Sequence, residues 1–212
     1  MNKRWLGFAF ALAALVFSAA VFDGLPEQIP THFNVRGEAD DWARRSIGAF
    51  MMPLFGLLLY GVFHLLPKIS PRKTNLDRFE DTYWLIANTT VGFLCALHVL
   101  VLGRALGWPV DMTSAVLLGI GLMFMIIGNV LPRTRSNWWI GIRTPWTMES
   151  ENVWRATHRL AGKTFMIGGA VTMIGALLPA DVRPWIAMGG LAVGGFIPVI
   201  YSYLYWRREK AA

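Results

Sequence analysis

Side chains able to do polar chemistry are scarce in this sequence, and they gather in two segments. The longer, IGIRTPWTMESENVWRATHRLAGK at residues 140–163, holds Arg143, Arg155, His158, Arg159 and Lys163 with Trp146 and Trp154 among them. Arg143 offers five N–H donors in a planar fork, suited to a carboxylate, a phosphate or the free carbonyls of a helix end. Gly141 permits an unusual backbone angle before it, and Pro145 fixes one after it. Two readings of Arg143 and Trp146 stay open: staples that hold the loop under a helical bundle, or part of a partner or ligand site. The shorter segment, DGLPEQIPTHFNVRGEADDWARRS at residues 23–46, places His32 near Glu38, Asp40 and Asp41. Imidazole and carboxylates are acceptable zinc ligands, but one histidine at no recognised ligand spacing favours solvated charges around a turn, so no metal is expected.

Reaction chemistry finds little support. The sequence contains no GxSxG, no HExxH, no phosphate-cradling GxxxxGK[ST] and no dinucleotide glycine fingerprint, so neither an enzyme nor a cofactor is expected. Cys95 is the single cysteine, which excludes a disulfide framework and a cysteine metal site. The net charge of +7 comes from residues scattered over several segments, with no recognition helix or stacking platform. Membrane lipids are therefore the expected partner for this charge, and direct nucleic-acid binding is not.

The elements that must position these segments are apolar. Of 212 residues, 55% are hydrophobic, and several runs approach the roughly 20 residues that a helix needs to cross a bilayer. The expected fold is an all-α polytopic membrane protein with about six transmembrane helices, at residues 5–22, 47–66, 83–106, 113–131, 164–180 and 185–206. The N-terminal run has the basic start and small residues of a cleavable signal, but its length favours an uncleaved first span. Most Lys and Arg fall on one side of this arrangement: Lys3 and Arg4, then Lys68, Arg72, Lys73 and Arg78, then Arg133 to Lys163, then Arg207, Arg208 and Lys210. Positive charge near short loops is retained in the cytoplasm, so both termini are expected there. Arg36, Arg44, Arg45 and Arg183 fall on the opposite side.

The spans contain no acidic residue, which argues against ion-coupled transport. His64, His98, Asn88 and Asn129 are their notable polar side chains, and a lone histidine in a helix reads as an interhelical hydrogen-bonding partner. Gly168, Gly169, Gly175, Gly190 and Gly194 allow close helix approach. Between the first two spans, Pro26 and Pro30 stiffen the chain, Ile29 and Phe33 are apolar, and Asn34 and Gly37 signal a turn, together predicting a compact outer cap. From Thr147 the pattern becomes helical. Thr147 is the expected cap, Glu149 and Glu151 occupy the first turn, Glu151 pairs with Arg155, and Val153, Trp154, Thr157, Leu160 and Ala161 share one face. This predicts a cytoplasmic amphipathic helix lying in the interface before the chain turns into the fifth span.

The block GNVLPRTRSNWWIGIRTPWTMESENVWRATHRLAGK, residues 128–163, closely resembles the signature of the SdpI family of bacterial membrane immunity proteins. LPEQIPTHFNVRGEADDW, residues 25–42, resembles the outer-loop pattern of the uncharacterised N-terminal domain that often accompanies it. The resemblance divides the chain into an N-terminal two-span region (1–66), a linking region with the third span (67–112) and an SdpI-like region (113–212) with its signature loop at 132–163. It implies a multi-pass protein of the bacterial cytoplasmic membrane that protects its host from a secreted peptide toxin. It also implies a signalling role, in which a cytoplasmic transcriptional repressor is held at the membrane. The signature positions it carries over are Asn129, Gly141, Arg143, Thr144, Pro145, Trp146, Trp154 and Arg159, with Arg155 and His158 in the same string. In the outer loop they are Pro26, Ile29, Pro30 and Gly37, with His32 and Asn34 among them. A small transporter or channel and a non-catalytic membrane scaffold are the alternatives.

Overall fold

In the computed structural model, which describes residues 3–34 and 36–211, a short 3-10 turn leads into helix α1 (Leu6–Val21). Strands β1 (Gln28–Phe33) and β2 (Ala39–Arg44) follow, then α2 (Arg45–Leu65), the short α3 (Lys73–Asp77) and α4 (Glu80–Ala105). Helix α5 (Met112–Val130), the short α6 (Pro145–Glu149), α7 (Glu151–Ala176) and α8 (Arg183–Ala211) complete the chain. Five helices, α1, α2, α4, α5 and α8, are long and apolar enough to cross a membrane, in keeping with an all-α polytopic membrane protein.

The fifth expected span is placed differently. Residues 164–176 are the second half of α7, a single 26-residue helix whose first half carries the charged sequence expected to lie flat in the interface. The chain does not turn between them. Val153, Trp154, Ala156, Thr157 and His158 are buried against the rest of the protein, because the face assigned to lipid headgroups packs on the preceding loop.

The helices group by contact into α1, α2 and α4 on one side and α5, α7 and α8 on the other, joined where α4 meets α5. In the first group, polar side chains cross between helices. Asn88 of α4 accepts a hydrogen bond from the Gly7 N–H at 2.8 Å and donates to the Lys3 carbonyl at 2.7 Å, satisfying a first-turn donor of α1 that has no partner within its own helix. His98 of α4 lies 2.7 Å from the Ser18 hydroxyl of α1, the interhelical role expected for a lone histidine. Tyr60 donates to the Arg4 carbonyl and Tyr83 to the Phe63 carbonyl.

Small residues organise the second group. A Cβ on Gly121 would lie 2.7 Å from the Gly169 carbonyl, and one on Gly169 would lie 2.5 Å from the Gly121 carbonyl. Gly128 and Gly162 face each other in the same way, each 2.9 Å from the other's carbonyl. On its other side α7 sets Gly168 against Gly190 and Gly194, while Thr172 donates to the Ala187 carbonyl and Thr164 to that of Gly194. Helix α7 thus has backbone-to-backbone contact with both α5 and α8, a packing mode that replaces the hydrophobic effect where the surroundings are as apolar as the side chains.

The predicted cap is a two-stranded antiparallel hairpin, with Gln28 opposite Arg44 and Ile29 opposite Ala43. Ile29 is fully buried over Gly48, with Leu25, Ala49 and Leu102 around it.

Gly169→Ala should lower the thermal stability of the detergent-solubilised protein by ~1–3 kcal/mol, since backbone, not a flexible side chain, meets the new methyl group. Gly189→Ala, on the neighbouring α8 but with nothing within 4 Å of its Cβ position, should leave the melting temperature unchanged.

Candidate functional site

The part of the signature loop that precedes α7, residues 132–150, closes over the end of the helices opposite the hairpin, and its fold is built from side chains that satisfy backbone. Asn137, fully buried, receives the N–H groups of Trp139 and Ile140 at 2.8 Å each and donates to the carbonyls of Arg135 and Ile140. Gly141 then takes φ +112°, where a side chain is strained, and a Cβ there would strike His158 and the Trp154 ring. His158 and Trp154 are both fully buried and stack with ring centroids 4.0 Å apart.

His158 Nε2 accepts the Ile142 N–H at 3.0 Å, and Nδ1 lies 2.8 Å from the Trp154 carbonyl. The two contacts define a neutral ring with its proton on Nδ1. Burial pushes its pKa down to about 4, against the raising effect of the Trp154 carbonyl. The Trp154 indole donates to the Thr134 carbonyl at 3.2 Å, tying the start of the loop to α7.

Thr144 caps α6, and Thr147 is its reciprocal partner in a capping box, with the Thr147 hydroxyl also donating to the Ile142 carbonyl at 2.9 Å. Thr147 is therefore not the cap of the following helix as expected; Ser150 caps α7, accepting from the Val153 N–H. Pro145 occupies the first position of α6, where its missing N–H costs nothing. The Trp146 indole donates to the Ser202 hydroxyl, and its ring lies against Tyr203 and Trp206 of α8. Glu149 is held below the usual carboxylate range by Lys210 and the Trp206 indole, and Glu209 binds Ser150 and Asn152. Arg155 bonds to Asn152 at 2.9 Å, not to Glu151 as expected, because the Glu151 carboxylate faces Asn75 at 3.5 Å.

Arg143 is exposed, and one of its terminal nitrogens donates to the Trp138 carbonyl. Its guanidinium borders a cleft of about 590 Å³ lined by Trp138, Gly141, Ile142, Thr144, Pro145 and Met148 of the loop and Val199 of α8. Asn129 and Arg159 are also exposed, but they line a separate groove with Lys163. The Asn129 side chain makes no hydrogen bond among the described residues, and the loop's backbone groups are served by Asn137.

Four contributors to the loop had not been singled out. Arg72 donates to the Ser136 hydroxyl and, at 3.1 Å, to the Met148 carbonyl, while Asn75 donates to the Ser136 carbonyl at 2.8 Å. Asn137 is the fourth, and the Asn within SNWWIG carries the signal of a side chain that closes a turn on its own backbone. Arg72 and Asn75 come from a distant stretch of chain and leave no local trace.

At the hairpin, Asn34 accepts the Arg36 and Glu38 N–H groups and Gly37 takes φ +79°, forming the expected turn. The Pro26 carbonyl accepts from Arg45 at 3.3 Å, and Pro30 pairs in register with Trp42. His32 is exposed, 2.5 Å from the Asp40 carboxylate. At the start of α5 the Asp111 carboxylate is the cap; burial alone would raise its pKa, but the Ser114 N–H and Arg183 hold it low.

Residues 133–202 match the model of the SdpI/YfhL protein family, and residues 9–57 match a domain of unknown function, DUF1648. Over 208 residues the chain is 25% identical to immunity protein SdpI of Bacillus subtilis (strain 168), covering 98% of each chain. No solved structure matches.

Because His158 is neutral when folded and protonates near its ordinary pKa of about 6.5 when unfolded, the unfolded chain binds the extra proton between about pH 6.5 and 4. Stability should therefore fall as pH drops through that window, by up to ~3 kcal/mol from this group. Melting curves at pH 7.5 and 5 should differ for the parent, and the difference should shrink in His158→Gln.

Proposed function

We propose that this chain, a member of the SdpI/YfhL protein family, is a membrane immunity protein that gives its host resistance to a secreted antimicrobial peptide. End-to-end similarity to immunity protein SdpI carries this reading. The ordered signature loop supports it, since nearly every matched polar residue there has a defined structural partner.

The end that bears the termini and the signature loop faces the cytoplasm in this reading. Lys68, Arg72, Lys73, Arg78, Arg133, Arg135, Arg207 and Arg208 lie at that end, against Arg36, Arg44, Arg45 and Arg183 at the hairpin end. The hairpin is then the surface that meets the toxin, and the Arg143 cleft is the surface offered to a cytoplasmic partner, with protection depending on both. A repressor held at the membrane while toxin is engaged would dock there, with Arg143 recognising a carboxylate or phosphate-like group. In this reading the role is non-catalytic, and His158, with both ring nitrogens occupied by backbone, has no free nitrogen for proton transfer.

The experiment is survival of a toxin-sensitive bacterium challenged with a sporulation-delaying-type peptide. Cells expressing the parent should survive, and cells expressing Arg143→Ala at an equal membrane level, checked by blot, should lose most of that protection. Death of cells carrying a well-inserted parent would reject immunity to this class of peptide. Full protection by the variant would remove the cleft from the mechanism.

A further inference from the structure

We infer that the groove between α5 and α7 is a binding site for the phosphate headgroup of an anionic phospholipid, held by Arg159, Lys163 and Asn129. The groove, of about 510 Å³, is walled by Asn129 and Pro132 at the end of α5, by Arg159 and Lys163 on α7, and by Tyr201 of α8. Arg159 and Lys163 stand four residues apart, so they lie one above the other on the same helix face. Both are exposed, and neither has a hydrogen bond or ion pair with any other described residue. No carboxylate lines the groove. The acids nearest in sequence are engaged elsewhere: Glu149 by Lys210 and Trp206, Glu209 by Ser150 and Asn152, and Glu151 toward Asn75.

Two unneutralised cations with a free amide beside them attract an anion, and their depth selects which one. Asn129 is in the last turn of α5, a helix that crosses the membrane, which puts the groove at the level of the headgroups. Immediately along α7 toward the bilayer come Met166 and Ile167, 40% and 59% exposed, an apolar surface for acyl chains. The floor is set by the close approach of Gly128 and Gly162, which leaves an indentation where larger residues would fill it. Basic pockets between transmembrane helices bind anionic headgroups by this combination of charge above and apolar surface below. Four other basic residues of this end are placed differently. Arg72 and Lys210 are already bonded within the protein, and Arg207 and Arg208 sit on the outermost turns of α8.

The assignment rests on the membrane setting alone, so its test needs no toxin. Purified, delipidated protein is titrated with phosphatidylglycerol, and the bound lipid is counted by native mass spectrometry. The parent should bind one phosphatidylglycerol at least ten-fold tighter than phosphatidylcholine. Arg159→Gln/Lys163→Gln should lose that preference, and its melting temperature should match the parent's because neither side chain has a partner to lose. Arg207→Gln/Arg208→Gln removes the same charge from the same end and should retain the preference. Equal loss in both double variants would mean diffuse charge attraction and overturn the site. Displacement of the lipid by millimolar inorganic phosphate would identify a free-anion site and overturn the lipid assignment. Equal affinity of the parent for the two lipids would overturn the proposal altogether.

Discussion

The backbone of α7 touches the backbones of both its neighbours, and the arrangement of the C-terminal half follows from that contact. Side chains of ordinary size would hold the helices apart, and in lipid nothing else would draw them together, because hydrocarbon tails solvate leucine as well as another leucine does. Gly121 with Gly169, Gly128 with Gly162, and Gly168 with Gly190 remove the spacers. Helix α7 then stands fixed between α5 and α8, and its first turns run past the end of α5 alongside the last turns of α8. Trp154 and His158 are on those turns. They hold Ile142 and Thr134, and so the loop between them, in a position that the glycines far below have already set.

Almost all the polar chemistry of the loop is spent on backbone. Asn137, His158, Thr144, Thr147 and the Trp154 indole each satisfy a main-chain donor or acceptor in a segment too irregular to satisfy its own, which is a condition for burying it under the helices. This separates the two readings that the sequence leaves open. Trp146 is a staple, bonded to Ser202 and packed on Tyr203. Arg143 has a staple's contact, with one nitrogen on the Trp138 carbonyl, while its exposed remainder borders a cleft. Among the signature residues, Arg143, Asn129 and Arg159 reach outward, and they do so on two different faces.

Spans were legible because length and hydropathy are properties of consecutive residues. The boundary between amphipathic helix and fifth span was not, since composition changes near residue 163 while helical geometry continues through it without a break. The clue was the run of small residues on two faces of that segment, which marks a helix enclosed by neighbours and not one lying on a surface. The Asn34 and Gly37 turn was readable, but strand pairing around it was not, because the strands are short, charged and carry prolines, and their pairing rests on the burial of Ile29 over Gly48. Arg72 and Asn75 are legible to no local rule, as both act on residues more than sixty positions away.

Those two residues bear on how the ends of the protein can influence each other. The hairpin belongs to the α1, α2 and α4 group, seated by Ile29 on α2 and α4, whereas the signature loop belongs to the α5, α7 and α8 group. A helix locked backbone to backbone on both sides cannot slide, so α7 transmits only motion of its whole group. The boundary between the groups has no such backbone lock: beside α4 and α5 runs an apolar groove of about 690 Å³, reaching Phe10 and Phe17 of α1. The connection at residues 66–79, between α2 and α4, meets the signature loop through Arg72 and Asn75, which bond Ser136 and the Met148 carbonyl. Met148 also lines the Arg143 cleft, so the wall of that cleft is the place where the two helix groups are tied together by hydrogen bonds at this end, apart from the glycine contacts that hold the loop's scaffold.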